Sequence, residues 1–236
     1  MKEESFEVMD EEFEEKKSFE TIRRGFIRKV YGIIFFQLLI TTIVIYYSMN
    51  NEILKKFMLA NAWPLYLSCI ASIIVVIILV CGKLTRTVPV NYFLLISLTL
   101  LEGIMASYIT IYFEPISVLV CAGLTLLIVF ALTIYACFTK RDMTMMGGFL
   151  FCFSVILIFL GFVGFFFTSY FYQMFLDSLG VLLMSLYLIF DTQLVVGNRK
   201  NLIDVDDYIL GALNIYLDII NLFLKILKLF GKKNNN

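Results

Sequence analysis

Seven apolar blocks, separated by short polar connections, leave this chain almost no way to fold in water. They run from Val30 to Met49, Trp63 to Gly82, Val90 to Tyr112, Ile116 to Phe138, Gly147 to Thr168, Tyr172 to Val196 and Tyr208 to Phe230. Each reaches the ~20 residues that cross a hydrocarbon core as an α-helix. Hydrophobic residues are 61% of the chain and the mean hydropathy is +0.90, whereas soluble domains hold ~45–50% apolar residues. The expected fold is all-α, a polytopic membrane protein with seven transmembrane helices over residues 30–231. A charged cytosolic tail at 1–29 and a short polar tail at 232–236 flank it.

The N-terminal tail carries acidic runs such as Asp10-Glu11-Glu12 before the basic group Arg23, Arg24, Arg28 and Lys29. It lacks the features of a cleavable signal, and its acidic half is expected to be disordered. The connections at Glu114-Pro115 and Ser169-Tyr170-Phe171 carry no Lys or Arg and belong on the translocated side. Seven Lys/Arg precede the first block, and Lys83, Arg86, Lys140, Arg141, Arg199 and Lys200 fall on the same, cytosolic side; Lys55 and Lys56 fall on the other. The last block ends in Lys225, Lys228, Lys232 and Lys233, which could make it dip in and return; its length favours a full crossing.

Several function classes drop out. Formal net charge is zero, so nothing points to nucleic acid. Histidine is absent, which removes serine-histidine and cysteine-histidine catalysis and zinc-protease motifs. Cys69, Cys81, Cys121, Cys137 and Cys152 lie in or beside apolar blocks without CxxC spacing and read as packing residues. The three prolines, Pro64, Pro89 and Pro115, stand at block edges, where a helix tolerates them.

The informative residues are acids inside the blocks, because a charge at the bilayer centre costs ~2.5–3.5 kcal/mol even on the lenient insertion scale. Glu102, Asp191 and Asp218 are placed so, and Lys225 and Lys228, late in the seventh block, are the only Lys or Arg within any block. Such acids must share protons, bind a cation or face water. Helical rise puts Asp218 and Asp191 roughly 15 and 12 Å from the same boundary, where they could meet. If they meet, they should hold one proton between them and respond to pH as a unit. In the seventh block Asp207, Gly211, Asn214, Asp218, Asn221 and Lys225 recur at helical spacing on one face, either as helix-to-helix glue or as a water and ion path. Glu102 has only Thr99 and Ser107 as polar neighbours in its block, and reads either as part of the ion pathway or as a protonated structural donor. Asp177 and Glu114, near block edges, are expected to be solvated. Asp204, Asp206 and Asp207 beside the seventh block either favour the helix dipole or form a cation-attracting mouth.

Four segments carry a family resemblance: Ile22-Arg23-Arg24-Gly25-Phe26-Ile27-Arg28-Lys29-Val30-Tyr31, Leu98-Thr99-Leu100-Leu101-Glu102, Phe190-Asp191-Thr192-Gln193 and, most specifically, Leu213-Asn214-Ile215-Tyr216-Leu217-Asp218-Ile219-Ile220-Asn221-Leu222-Phe223. Over about residues 20 to 231 the chain resembles the Bax-inhibitor or Lifeguard family, and within it the Golgi anti-apoptotic branch. The resemblance implies six helices around a central seventh, and a pH-sensitive calcium leak from Golgi or endoplasmic reticulum stores that restrains cell death. It also implies that Asp191 and Asp218 are the aspartyl pair whose protonation controls a closed-to-open change. They would touch calcium transiently as it permeates, and no cofactor is required. The family's latch pairs a basic residue at the end of the second span with the sixth-span acid; Lys83 is the nearest match and Arg86 the substitute. The implied partners are the lipid bilayer, calcium ions, protons and other membrane proteins of cell-death or calcium-release pathways. Two rival readings are a regulatory scaffold without ion flux and an intramembrane aspartyl protease. The chain lacks the Gly-x-Gly-Asp and Pro-Ala-Leu motifs of that protease class.

Overall fold

The computed structural model describes residues 2–81, 84–164, 166, 169–197 and 202–234, with side chains for Lys17 and from Glu20 onward. Among the described residues eight α-helices follow one another: α1 (Lys2–Asn50), α2 (Glu52–Ala60), α3 (Trp63–Cys81), α4 (Val90–Thr110), α5 (Pro115–Phe138), α6 (Gly147–Val163), α7 (Tyr170–Val196) and α8 (Tyr208–Phe230). Seven helical stretches among the described residues are long and apolar enough to cross a membrane: the Glu20–Asn50 part of α1, α3, α4, α5, α6 with the turn before it, α7 and α8.

Two elements differ from expectation. The acidic tail is helical, and α1 runs unbroken from Lys2 into the first span. Residues 2–24 contain no Gly or Pro, and acids at a helix start suit its dipole. The second difference is α2, a short helix between the first two spans. Asn51 starts it, its side chain accepting from Leu54 N at 3.0 Å.

The bundle keeps its apolar surface outside. Phe151, Ile158, Phe159 and Phe162 of α6 are all exposed, which suits a lipid solvent. Burial separates the spans: 67% of the apolar stretch of α8 is buried, against 6% for α6. α8 packs on α1, α4, α5 and α7, while α6 rests on α7. One core joins Phe26, Val30 and Ile34 of α1 to Leu188 and Val195 of α7 and to Ala212, Ile215 and Ile219 of α8.

The ends of α8 lie at opposite faces of the bundle. At its start Asp207 meets Arg86; past its end Lys232 meets Glu114. The seventh block therefore crosses rather than dips. Beyond Gly231 the chain pairs with the α4–α5 connection: Glu114 N donates to Lys232 O at 2.9 Å and Asn234 N to Tyr112 O at 2.8 Å, flanking a Phe113–Lys233 bridge. Lys232 N donates to Ser117 Oγ at 2.8 Å, and Lys232 Nζ lies 2.8 Å from Glu114 Oε1. Glu114, expected to be solvated, is thus part of a clasp.

At the opposite face α1 is stapled to α7 by Arg23, which is buried. Its guanidinium donates to Ile203 O at 2.6 Å and to Leu194 O, and lies 4.5 Å from the Phe26 ring centre. Charge-assisted bonds of this kind are worth ~1.5–3 kcal/mol each. Arg23→Ala is expected to destabilise the protein by about 3 kcal/mol, measurable as a lower unfolding midpoint in detergent.

Candidate functional site

The structure brings Asp191 of α7 and Asp218 of α8 into contact in the bundle interior. Both are buried, at 5% and 8% exposure. Their carboxyls lie within interacting distance of each other, and two carboxylates, which offer only acceptors, can join in a hydrogen bond only by sharing a proton. Asn214, one turn before Asp218 and on the same face, donates from Nδ2 to Asp191 Oδ1 at 3.3 Å. Asp218 Oδ2 is buried and has no hydrogen-bond partner. No Lys or Arg forms an ion pair with either acid among the described residues.

Close packing of the two helices makes this contact possible. Gly211 sits one turn before Ile215 with Val195 of α7 against it, and a Cβ there would come 3.0 Å from Val195 Cγ2. Gln193 fixes the other side of α7. Its Oε1 accepts from Met143 N at 2.8 Å, and its Nε2 donates to Arg141 O at 3.1 Å and to Ala136 O at 3.3 Å. The motif Phe190-Asp191-Thr192-Gln193 therefore supplies one acid and one anchor for the α5–α6 connection.

The polar face of α8 is turned mostly toward α7. Besides Asn214 and Asp218, Lys225 Nζ lies 2.8 Å from Asp177 Oδ1. This corrects the expectation of a solvated Asp177, whose side chain is only 17% exposed. Asn221 departs from the stripe's pattern: it is exposed, and its Nδ2 donates to Leu217 O in its own helix at 2.9 Å.

Glu102 does not join the aspartate pair. It lies on α4 near Tyr216, and Tyr216 and Asp218, two residues apart on α8, point about 200° apart around the axis. The two sites flank α8 on different sides.

Arg86 reaches neither interior acid. It clamps the connection before α8: Nε lies 2.8 Å from Asp207 Oδ1, and Nη2 lies 2.6 Å from Asp207 Oδ2 and 3.1 Å from Asp204 Oδ2. Thr85 Oγ1 adds a 3.2 Å bond to Asp207. Lys83, the other latch candidate, lies outside the described residues, and Asp206 is exposed. The expected pairing of Arg86 with the sixth-span acid is replaced by this clamp, because the short turn at Leu84–Arg86 delivers the guanidinium to the start of α8.

Hydrogen bonds from the Arg86 guanidinium hold the Asp207 carboxyl below the usual carboxylate range against the opposing effect of burial, and the same bonds raise Arg86. A depressed carboxyl contributes stability above its unfolded value of about 3.9, lost only as pH falls through the lower folded value. The clamp is therefore constant between about pH 5 and 8. Arg86→Gln is expected to lower hydrogen-exchange protection at the start of α8, with the same loss at both ends of that range.

Among the described residues no group of three or more His, Cys, Asp or Glu could hold a metal ion. A passing cation would meet a pair of acids and the Asn214 amide. Sequence reasoning gave no role to Arg23 or Gln193, although both stand in the quoted motifs; their partners are backbone carbonyls and amides, which no side-chain pattern announces.

A family model described as inhibitor of apoptosis-promoting Bax1 matches residues 23–235. The chain is 36% identical to human protein lifeguard 3 over 219 residues, covering 90% of this chain and 70% of that protein. It is 34% identical to mouse protein lifeguard 3 over 218 residues, with the same coverage. Against mouse protein lifeguard 4 it is 31% identical over 207 residues, covering 88% of this chain and 84% of the relative. With seven membrane-crossing helices and a match over nearly its whole length, the chain belongs to the Bax-inhibitor or lifeguard family of integral membrane proteins.

Proposed function

We propose that this protein is a pH-sensitive calcium leak channel of an intracellular store membrane, Golgi or endoplasmic reticulum, with its N-terminus in the cytosol and a role in restraining cell death. The observation that carries the reading is the Asp191–Asp218 contact, buried between two packed helices with no basic partner among the described residues. Holding one proton, the pair is a hydrogen bond that ties α7 to α8. Losing it leaves two like charges a few ångströms apart, a repulsion of about 4 kcal/mol at 4 Å and an effective dielectric of 20. That repulsion favours separating the helices, and the freed carboxylates with the Asn214 carbonyl offer calcium the hard oxygen ligands it takes. Calcium is the substrate in this scheme, and Asp206 at the bundle face supplies uncommitted acidic charge near the entry. Membership of a family described as inhibitors of apoptosis-promoting Bax1 supports the link to cell death.

The test is calcium flux into liposomes holding only this protein, measured against pH for the wild type, Asp191→Asn and Asp218→Asn. Flux that responds to pH in the wild type and not in the variants supports a gated leak. Absence of flux at every pH would favour a regulatory scaffold that acts by binding other membrane proteins.

A further inference from the structure

The basic residues divide into those that hold an acid and those that do not. Arg86, Lys225 and Lys232 each meet a carboxylate, at 2.6, 2.8 and 2.8 Å. Arg28, Lys140 and Arg141 make no ion pair among the described residues. Arg24 has only Glu20, at 3.9 Å on the surface, a contact worth little. All four of these side chains are exposed.

The fold gathers them at one end of α7. Arg23 of α1 donates to Leu194 O, and the neighbouring Gln193 donates to Arg141 O at 3.1 Å. Consecutive residues of α7 therefore hold the basic start of the first span and the basic α5–α6 connection. Tyr31 follows Arg24 by seven residues and Arg28 by three, which puts it on their side of α1. Its side chain lies within interacting distance of Thr133 and Cys137 of α5, so that side of α1 is the one turned toward α5. The nearby acid is engaged: Asp142 Oδ1 accepts from Thr144 N at 3.0 Å and from Thr144 Oγ1 at 2.6 Å.

Apolar surface begins directly below the charges. Arg24, Arg28, Phe35 and Leu39 recur at spacings of four and seven, in one stripe along α1. Phe35 and Leu39 are exposed, and Gly32 between them and Arg28 has nothing within 4 Å of where a Cβ would stand. On α5, exposed Ile134 and Phe138 lead up to Lys140 and Arg141. A rim of unpaired positive charge above an open apolar wall is complementary to a molecule with an anionic head and hydrocarbon tails.

We propose that Arg24, Arg28, Lys140 and Arg141 bind the headgroup of an anionic phospholipid, in the leaflet on the side of the α5–α6 connection, with its chains lying against α1 and α5. The site shares no residue with the aspartate pair and does not rest on the channel reading.

The experiment places the purified full chain in phosphatidylcholine bilayers and measures how strongly spin-labelled phosphatidylserine and spin-labelled phosphatidylcholine associate with its surface. The wild type is expected to prefer phosphatidylserine by about fivefold or more, the factor that one basic residue near a membrane surface supplies. Arg24→Gln with Arg28→Gln should lower the preference, as should Lys140→Gln with Arg141→Gln, and all four substitutions together should abolish it. The four side chains are exposed and the Arg23 and Gln193 contacts remain, so these variants are expected to fold. Lys55→Gln with Lys56→Gln, on the opposite face, should leave the preference unchanged. Equal association of the two lipids with the wild type would overturn the assignment. So would a full preference in the four-site variant, an equal loss from the Lys55 and Lys56 substitutions, or a loss traced wholly to one basic pair with the other silent.

Discussion

Calcium flux through Asp218→Asn should be nearly flat across the pH range in which wild-type flux changes about tenfold, the change that a ~1.4 kcal/mol shift of an open–closed balance produces. The substitution keeps the shape of the side chain and its capacity to hydrogen-bond Asp191, but it removes the titrating proton. Asp191→Asn should do the same from the other helix. The double variant should add little to either single one, because both remove the same interaction and neighbouring effects are not additive. A double variant with twice the loss of each single would show two independent sites and undo the shared-proton mechanism. Clamp variants separate gate from frame. Arg86→Gln loosens the start of α8, yet the Asp207 carboxyl that Arg86 holds lies below the usual carboxylate range, so the midpoint of the pH response should stay in place. If that midpoint moved with Arg86, the sensor would lie in the clamp instead.

The second large effect is expected of Gly231→Ala. A Cβ on Gly231 would stand 2.3 Å from Leu227 O and 2.6 Å from Phe113 Cδ1. Leu227 O is backbone and accepts from Gly231 N at 2.8 Å, so it cannot swing aside as a side chain would. Either the end of α8 unwinds or residues 231–234 leave the α4–α5 connection. Overpacking of this kind costs typically 1–3 kcal/mol, and the backbone clash puts this site at the upper end. A lower unfolding midpoint is expected, with loss of hydrogen-exchange protection confined to residues 112–118 and 231–234. Lys232→Ala, which removes only the partly exposed ion pair to Glu114, should cost under about 1 kcal/mol. Equal losses from the two substitutions would mean that charge, not close backbone packing, holds the clasp.

The contrast between these sites shows what could be read in advance. Leu, Ile and Phe runs of sufficient length mark a membrane span whatever surrounds them, because transfer into lipid is summed residue by residue. The seven spans and their edges at Trp63, Val90 and Gly147 followed from that local property. So did the isolation of Glu102, Asp191 and Asp218 from basic residues, since charge is counted along the chain. Helix spacing also placed Asn214, Asp218 and Lys225 on one face of α8.

Which face meets which neighbour is a different kind of fact. Rotation and approach of helices are set by packing among residues far apart in sequence, such as Gly211 against Val195 and Gly103 against Val44. Only that packing joined Asp191 to Asp218, left Glu102 apart from them on α4, and gave Asp177 to Lys225. It also turned Arg86 toward Asp204 and Asp207. The sequence by itself determined that the chain crosses a membrane seven times with acids inside it. The tertiary structure alone decided which acids meet and which stand apart, because side chains can hydrogen-bond only where two helices are turned to bring their atoms within about 3 Å.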